Sequence, residues 1–280
     1  HTACAGCGQS LAARLVIDAA GANTIIANNT GCLEVFSTKY PESSWGVPWI
    51  HSLFENSAAV ASGIEAALRY LGKKDTINVI CQAGDGGSAD IGLQALSGMW
   101  ERNHDILSIC YDNEAYMNTG IQRSGLTPFD SNTTTSPVGS KSSGNIRPKK
   151  PLPEIAVAHG IPYVTTASAG FPQDIQRKVK KALAIRGAKY MQIHVPCPLG
   201  WRHDPSLTYQ VAKLAVETGL YPLVEYENGQ LTAVRKIQPK PVEEYLKVQA
   251  RFKHLLNSPE ELKKIQAIAD ANIKKYGLAA

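Results

Sequence analysis

The chain has 280 residues, 44% of them apolar and 19% charged, with a formal net charge of +5. That is long enough to bury a full core in one large α/β domain, and the composition is that of a soluble globular protein. Lysine and arginine are scattered rather than clustered, which excludes nucleic acid as a partner, and no apolar run approaches the ~20 residues that cross a bilayer, which excludes a membrane span.

No secretory signal is visible, although the chain begins at His1 rather than Met and so leaves room for a short preceding piece. Six cysteines in so large a chain do not make a disulfide scaffold. A reduced, cytoplasmic setting with metal-ligating thiolates is expected.

In chain order, Gln9–Ala20 has helical apolar spacing (Leu11, Leu15, Val16, Ala19) and Thr24–Ala27 reads as a short strand. Tyr40–Ile50, rich in Pro and Trp, reads as loop. Ser52–Leu71, with many small residues, reads as a tightly packed buried helix. The central pattern follows: strand Thr76–Cys81, Gly-rich turn Gly84–Ser88, helix Ala89–Asn103, strand Asp105–Tyr111. Residues Asn113–Lys150 have little apolar periodicity, and a segment so long is usually functional or disordered. Its Thr133-Thr134-Thr135 and Lys141-Ser142-Ser143-Gly144 stretches read as functional or as plain solvated loop. A second unit comprises helix Glu154–His159, strand Tyr163–Thr166, helix Pro172–Arg186 and strand Tyr190–His194. The tail holds helix Leu207–Thr218, a hairpin about Asn228-Gly229, and helices from Pro241 and Pro259. Alternating strands and helices predict an α/β fold with a doubly wound, mostly parallel sheet, ligands lying beyond the carboxyl ends of its strands. The expected division is an α/β domain over 1–225 and a C-terminal hairpin and helical extension over 226–280, packed on that domain or on a partner.

Two constellations carry chemistry. Gly84-Asp85-Gly86-Gly87 ends one buried strand, and Asp112-Asn113 ends the next. The glycines let the backbone approach an anionic ligand near a helix start. Asp85, the Asn113 side chain and the Ala115 carbonyl offer the oxygen ligands that magnesium uses to hold a diphosphate. This spacing resembles the thiamine-diphosphate signature, except that Asp112 replaces the first of its paired asparagines. The second constellation is Cys4-x-x-Cys7, Cys32 and Cys197. Four thiolates suit a structural zinc or a [4Fe–4S] cluster, and one short knuckle plus two isolated cysteines leans toward the cluster. Cys81 and Cys110, inside apolar strands, read as core residues. His51 and Glu55, ahead of a helix, are candidate acid/base groups, or they cap, orient or pack.

Taken together, Cys4-Ala-Gly-Cys7-Gly, Thr30-Gly31-Cys32-Leu-Glu-Val, Val47-Pro48-Trp49-Ile50-His51, Gly84-Asp85-Gly86, Tyr116-Met117-Asn118-Thr119-Gly120 and Pro196-Cys197-Pro198 closely resemble the beta subunit of pyruvate:ferredoxin oxidoreductase and its 2-oxoacid:ferredoxin oxidoreductase relatives. The resemblance implies a thiamine-diphosphate-binding fold. It implies a [4Fe–4S] cluster on Cys4, Cys7, Cys32 and Cys197, and Mg2+ on Asp85, Asn113 and Ala115. Gly84, Asp85, Gly86, Gly87, Asn113, Ala115, Tyr116, Met117 and Asn118 would line the cofactor, with Asn118 facing the reacting carbon and Cys32 near the thiamine. Gln9 stands where some relatives carry a cofactor-contacting Glu.

The implied reaction is oxidative decarboxylation of pyruvate, or its reversal, with the cofactor as electron sink and electrons leaving to ferredoxin. The implied partners are an alpha subunit that supplies the aminopyrimidine-binding half with its glutamate, a ferredoxin-like subunit or domain with further clusters, ferredoxin itself, a 2-oxoacid, and CoA. Cysteine arithmetic agrees, since two more clusters need about eight thiolates and only Cys81 and Cys110 remain. Oxalate and 2-oxoisovalerate stay open as substrates. The competing classes are a non-oxidative thiamine-dependent enzyme with a structural zinc, and a zinc-stabilised scaffold without catalysis.

Overall fold

The computed structural model describes residues 1–43 and 45–280. Ser44, inside the expected loop Tyr40–Ile50, lies outside the described residues. In chain order the elements are α1 (Gly8–Ala20), β1 (Thr24–Asn28), α2 (Cys32–Ser37), β2 (Trp49–His51), α3 (Ser57–Tyr70), β3 (Asn78–Gly84), α4 (Asp85–Ala89), α5 (Leu93–Glu101) and β4 (Leu107–Asp112). Next come the small hairpin β5 (Val138–Gly139) and β6 (Ser142–Ser143), α6 (Leu152–Ala158), β7 (Tyr163–Ser168), α7 (Pro172–Ala184), β8 (Lys189–His194) and α8 (Pro198–Trp201). The chain closes with α9 (Thr208–Glu217), β9 (Val224–Glu227), β10 (Gln230–Val234), α10 (Val242–Leu246), a 3-10 segment Ala250–Asn257, and α11 (Pro259–Tyr276).

The strands form one sheet in the order β10-β9-β7-β8-β4-β3-β1-β2. The six from β7 to β2 run parallel, and β9 and β10 close the far edge antiparallel. Every residue of β4, β7 and β8 is buried. That is the burial expected of parallel strands covered on both faces. One face packs against α1 and α7 through Ala12, Val16, Ile175 and Val179. The other packs against α3, α5 and α6 through Ala61, Leu96, Trp100 and Ala156, with Cys81 and Cys110 in this second core as expected. A third core joins Trp201 and α9 to the C-terminal helices. The 225/226 division falls inside β9, which pairs directly with β7. The β9–β10 turn uses Asn228 and Gly229, both at positive φ (48° and 80°), as the sequence Asn-Gly predicts.

Several boundaries differ from expectation. Helix α3 starts at Ser57, not Ser52, because the side-chain oxygen of Asn29 accepts the Ser57 N–H (2.6 Å) and caps the helix there from another segment. Its Ala59, Gly63 and Ala67 are exposed, so it is not buried all round. The expected glycine turn is one helical turn, α4, and Asp90 (φ −116°, ψ −91°) breaks the chain before α5 starts at Leu93. Helix α2 and strand β2 were not anticipated. Within residues 113–150 the expected solvated stretches are largely exposed, at Thr134, Thr135, Lys141 and Ser142, but Ser124, Thr127, Asp130, Ser131 and Asn145 are buried, and the Asn145 side chain donates to the Thr127 and Pro128 carbonyls (2.8 and 3.1 Å). No helix among the described residues is long and apolar enough to cross a membrane.

Candidate active site

The parallel sheet decides which segments meet. Neighbouring strands end in register, Asn28 beside Gln82, Gly84 beside Tyr111, and Asp112 beside His194. The chain leaving each end is therefore delivered to one edge: Thr30–Cys32 after β1, Asp85 after β3, Asn113–Asn118 after β4 and Cys197 after β8. Gln9, Cys32, Gly84, Asp85, Gly86, Gly87, Asn113, Ala115, Tyr116, Met117 and Asn118 all line one cleft. Thr30, Gly31, Phe54 and Thr119 complete it, and sequence reasoning had not singled them out for this role. His51 Nε2 stands 2.8 Å from Thr30 Oγ1.

At the base of the cleft, one end of the Asn113 side-chain amide lies 2.9 Å from Asp85 Oδ1 and 2.9 Å from the Ala115 carbonyl oxygen. Placed as oxygen, that atom meets only acceptors. Placed as nitrogen, it donates to both. Asp85 is buried, and burial together with the charge of Asp112 pushes its carboxyl well above the ordinary range. The Ser124 hydroxyl donates to Asp85 Oδ2 and offsets part of this. A Cβ on Gly86 would meet the Tyr116 ring at 2.2 Å, so only glycine lets that ring lie on the loop. The cleft walls therefore combine backbone amides, a carboxylate with no cation of its own and a close aromatic cover.

A second cavity, of about 140 Å3, adjoins this cleft and contains Cys4, Cys7, Cys32 and Cys197 together. The two spaces share Gln9, Cys32, Asn113 and Asn118 in their walls. Cys7 and Cys197 each sit at a helix N-terminus, where Sγ accepts a backbone N–H, from Ser10 (3.4 Å) and Gly200 (3.3 Å). Burial and the neighbouring thiols raise Cys32 to about 12 and Cys197 to about 11. Four thiolates cannot crowd this apolar cavity without a positive centre among them. Among the described residues, no three Cys, His, Asp or Glu side chains gather closely enough to hold a single metal ion.

Beneath the cleft lies a buried charge network that the sequence did not reveal. Lys149 Nζ bridges Asp112 Oδ2 (2.9 Å) and Glu114 Oε1 (2.7 Å), and Arg251 reaches Glu114 Oε2 (2.5 Å). Gln192 Nε2 also donates to Asp112 Oδ2 (2.8 Å). Asp112, the departure from the paired-asparagine pattern, is thus matched by a lysine 37 residues away. Buried Lys and Arg are uncommon unless paired, but nothing in sequence tells which of 29 basic residues will be buried.

Residues 29–195 match the family described as "Thiamine pyrophosphate enzyme, C-terminal TPP binding domain". The chain is 60% identical over 282 residues to the pyruvate synthase subunit PorB of Methanosarcina barkeri, covering 99% of this chain and 95% of that one. It is 49% identical over 269 residues to the ketoisovalerate oxidoreductase subunit VorB of Pyrococcus abyssi, covering 94% and 86%. Its fold matches that of the 2-oxoglutarate:ferredoxin oxidoreductase from Magnetococcus marinus with a TM-score of 0.58, at 23% identity over 76% of each chain. One edge of a parallel sheet carrying the Gly84–Gly87 loop and the Asn113 corner, together with near full-length identity to these subunits, makes the chain a beta-type subunit of the 2-oxoacid:ferredoxin oxidoreductase family of thiamine-diphosphate enzymes.

Proposed function

We propose that this chain is the catalytic subunit of a pyruvate:ferredoxin oxidoreductase, decarboxylating pyruvate oxidatively or running the reverse carboxylation, with a [4Fe–4S] cluster on Cys4, Cys7, Cys32 and Cys197. The observation that carries the reading is the shared wall of the two cavities. Gln9, Cys32, Asn113 and Asn118 face both the cleft above Asp85 and the space among the four cysteines. A cofactor in one is then in contact range of an electron acceptor in the other.

Thiamine diphosphate, when bound, supplies the electron sink for decarboxylation. The rest falls to the chain's own groups. The amides of Gly84–Gly87 at the start of α4 receive the diphosphate oxygens. Asp85, the Asn113 side chain and the Ala115 carbonyl would hold Mg2+, a carboxylate and two neutral oxygens being a donor set such an ion accepts, once the Asn113 amide turns its oxygen to the corner. Asn118 orients the 2-oxoacid. Phe54 and Tyr116, with ring centroids 5.7 Å apart, help exclude water. The four thiols around one cavity supply the ligand count of a [4Fe–4S] cluster.

Among the described residues lining the cleft, Asp85 is the only carboxylate, which supports a site completed by an alpha subunit. With so few remaining thiols, electrons would pass on through a ferredoxin-like subunit or domain to ferredoxin. Residues 1–225 form the catalytic domain in this reading, and 226–280 an extension. Pyruvate is favoured by the similarity to pyruvate synthase subunits at 60% and 56% identity. The second reading, 2-oxoisovalerate, rests on 49% identity to the ketoisovalerate subunit.

The test is an anaerobic assay of the reconstituted complex with pyruvate, 2-oxoisovalerate, 2-oxoglutarate and oxalate, each with and without CoA, following viologen reduction. Pyruvate should reduce the dye fastest. No reduction by any of the four would overturn the proposal, as would one zinc and no iron per chain.

A further inference from the structure

Glu114 stands between Asn113 and Ala115, the two residues that face Asp85. Its backbone is left-handed (φ +69°), a region that residues other than glycine enter at a cost. The surroundings over-determine this turn. The Glu114 N–H donates to Asp112 Oδ1 (3.1 Å), and its carboxylate meets Lys149 (2.7 Å), Arg251 (2.5 Å) and, at 3.6 Å, His194. Arg251 comes from the 3-10 segment near the C-terminus, 137 residues along the chain. It is buried, its Nε donates to Gln249 Oε1 (2.9 Å), and its guanidinium lies 3.8 Å from the centre of the Trp201 ring. Trp201 is also fully buried. Its indole N–H donates to the Asn113 carbonyl (2.8 Å), and its backbone N–H donates to the carbonyl of Cys197 (2.9 Å).

We propose that Arg251 and Trp201 are positioning residues for the Asp85–Asn113 corner. Arg251 locks Glu114 in its left-handed turn, which holds the Asn113 side chain and the Ala115 carbonyl against Asp85, where a turn of the Asn113 amide would offer its oxygen to a divalent cation. Trp201, at the end of α8, holds the Asn113 carbonyl through its indole N–H. A filler for this space could be apolar, because a buried ion pair gives no more stability than well-packed hydrophobic groups. What an arginine adds is a flat fork that can pair with a carboxylate while stacking on indole. The inference rests on the cation reading above and gives the C-terminal extension a part in the site.

The test measures thiamine diphosphate binding to the assembled complex by calorimetry at a series of Mg2+ concentrations, with iron content and Tm recorded alongside. Arg251→Met should raise the Mg2+ concentration for half-maximal binding about tenfold or more, as loss of a supporting partner around a metal does. Arg251→Lys should recover part of the shift, since it can still pair with Glu114. Trp201→Phe keeps the ring and loses only the N–H. It should shift the same midpoint in the same direction, with iron content unchanged, and it carries the test if Arg251→Met fails to fold. Midpoints within twofold of wild type for Trp201→Phe and Arg251→Lys would overturn the inference, as would shifts that merely track Tm. Wild-type binding that ignores Mg2+ would overturn the cation reading and this inference together, whereas wild-type dependence with unshifted variants overturns this inference alone.

Discussion

Strands β4 and β8 lie between two charge clusters, a half-buried one at their start and a buried one beyond their carboxyl ends. Ahead of β4, Asp105 meets Lys74 (2.8 Å), Arg186 (3.0 Å) and Lys189. Burial pushes its carboxyl up, but these cations overcome that and hold it well below the ordinary range. Beyond the carboxyl ends, Asp85, Asp112 and Glu114 are all buried, and two cations, Lys149 and Arg251, serve the latter two. Asp85 accepts from the Ser124 hydroxyl and from the Asn113 amide (2.9 Å, with its nitrogen turned there), and it stays well above the ordinary range. The first cluster is electrostatically closed and contributes stability. The second pairs Asp112 and Glu114 but leaves Asp85 with no salt-bridge partner among the described residues, at the corner where it meets the Asn113 side chain and the Ala115 carbonyl. Buried carboxylates are normally paired, and the proposed Mg2+ would supply the missing charge.

The comparison can be broken at either end. The largest effect is expected at the thiolates: Cys197→Ala should abolish pyruvate-dependent dye reduction while thiamine diphosphate binding persists, as read by calorimetry. Equal loss of both would make the cysteine centre chiefly structural. Asp85→Asn comes next. It should remove Mg2+-dependent cofactor binding yet leave Tm without cofactor unchanged or higher, because it removes a buried carboxylate that lacks a cation. A large drop in that Tm would contradict the charge deficit. Asp105→Asn should do the reverse. It leaves the buried Lys189 without its anion, and the loss should be smaller than the about 3–5 kcal/mol of a fully buried pair, because Asp105 is half-buried and Arg186 exposed. The loss is read in denaturant unfolding, with the Mg2+ midpoint for cofactor binding unmoved.

A smaller effect tests pH. Glu225 is buried beside Arg177 (2.6 Å), Lys181 (2.7 Å) and Tyr163, which overcome burial and hold it at about 2. A carboxyl depressed in the folded state contributes stability that is complete above its unfolded value of about 4.3 and is lost as pH falls toward 2. Melting curves from pH 7 to pH 3 should therefore show a shallower acid decline for Glu225→Gln. At neutral pH that variant should be less stable by about 2 kcal/mol, discounted for the exposure of Arg177 and Lys181. An unchanged acid slope would remove Glu225 from the stabilising set.

Much of the site was legible because its signals are local. Gly84-Asp85-Gly86 ending one apolar run and Asn113 ending the next forecast a shared edge, and all eleven residues expected around the cofactor line one cleft. The start of α3 was misjudged because its cap, Asn29, comes from 28 residues away. Residues 113–150 could be read as solvated loop because their order depends on buried side-chain bonds such as those of Asn145, which no periodicity announces. Ser124, Lys149, Trp201 and Arg251 were missed for the same reason: each acts on a partner 35 to 137 residues away.

Sequence alone determined the parallel α/β layout, since alternating apolar runs and amphipathic segments leave few ways to bury both faces of a sheet. It also marked the cysteines and the Asp85–Asn113 pair, whose chemistry is carried by residue type and spacing. Tertiary structure alone decided that the two sites share a wall, that Asp112 is matched by Lys149, and that the C-terminal segment sends Arg251 under Glu114. Charge compensation in a low-dielectric interior depends on distance in space, and spatial proximity between residues far apart in the chain exists only once the sheet has formed.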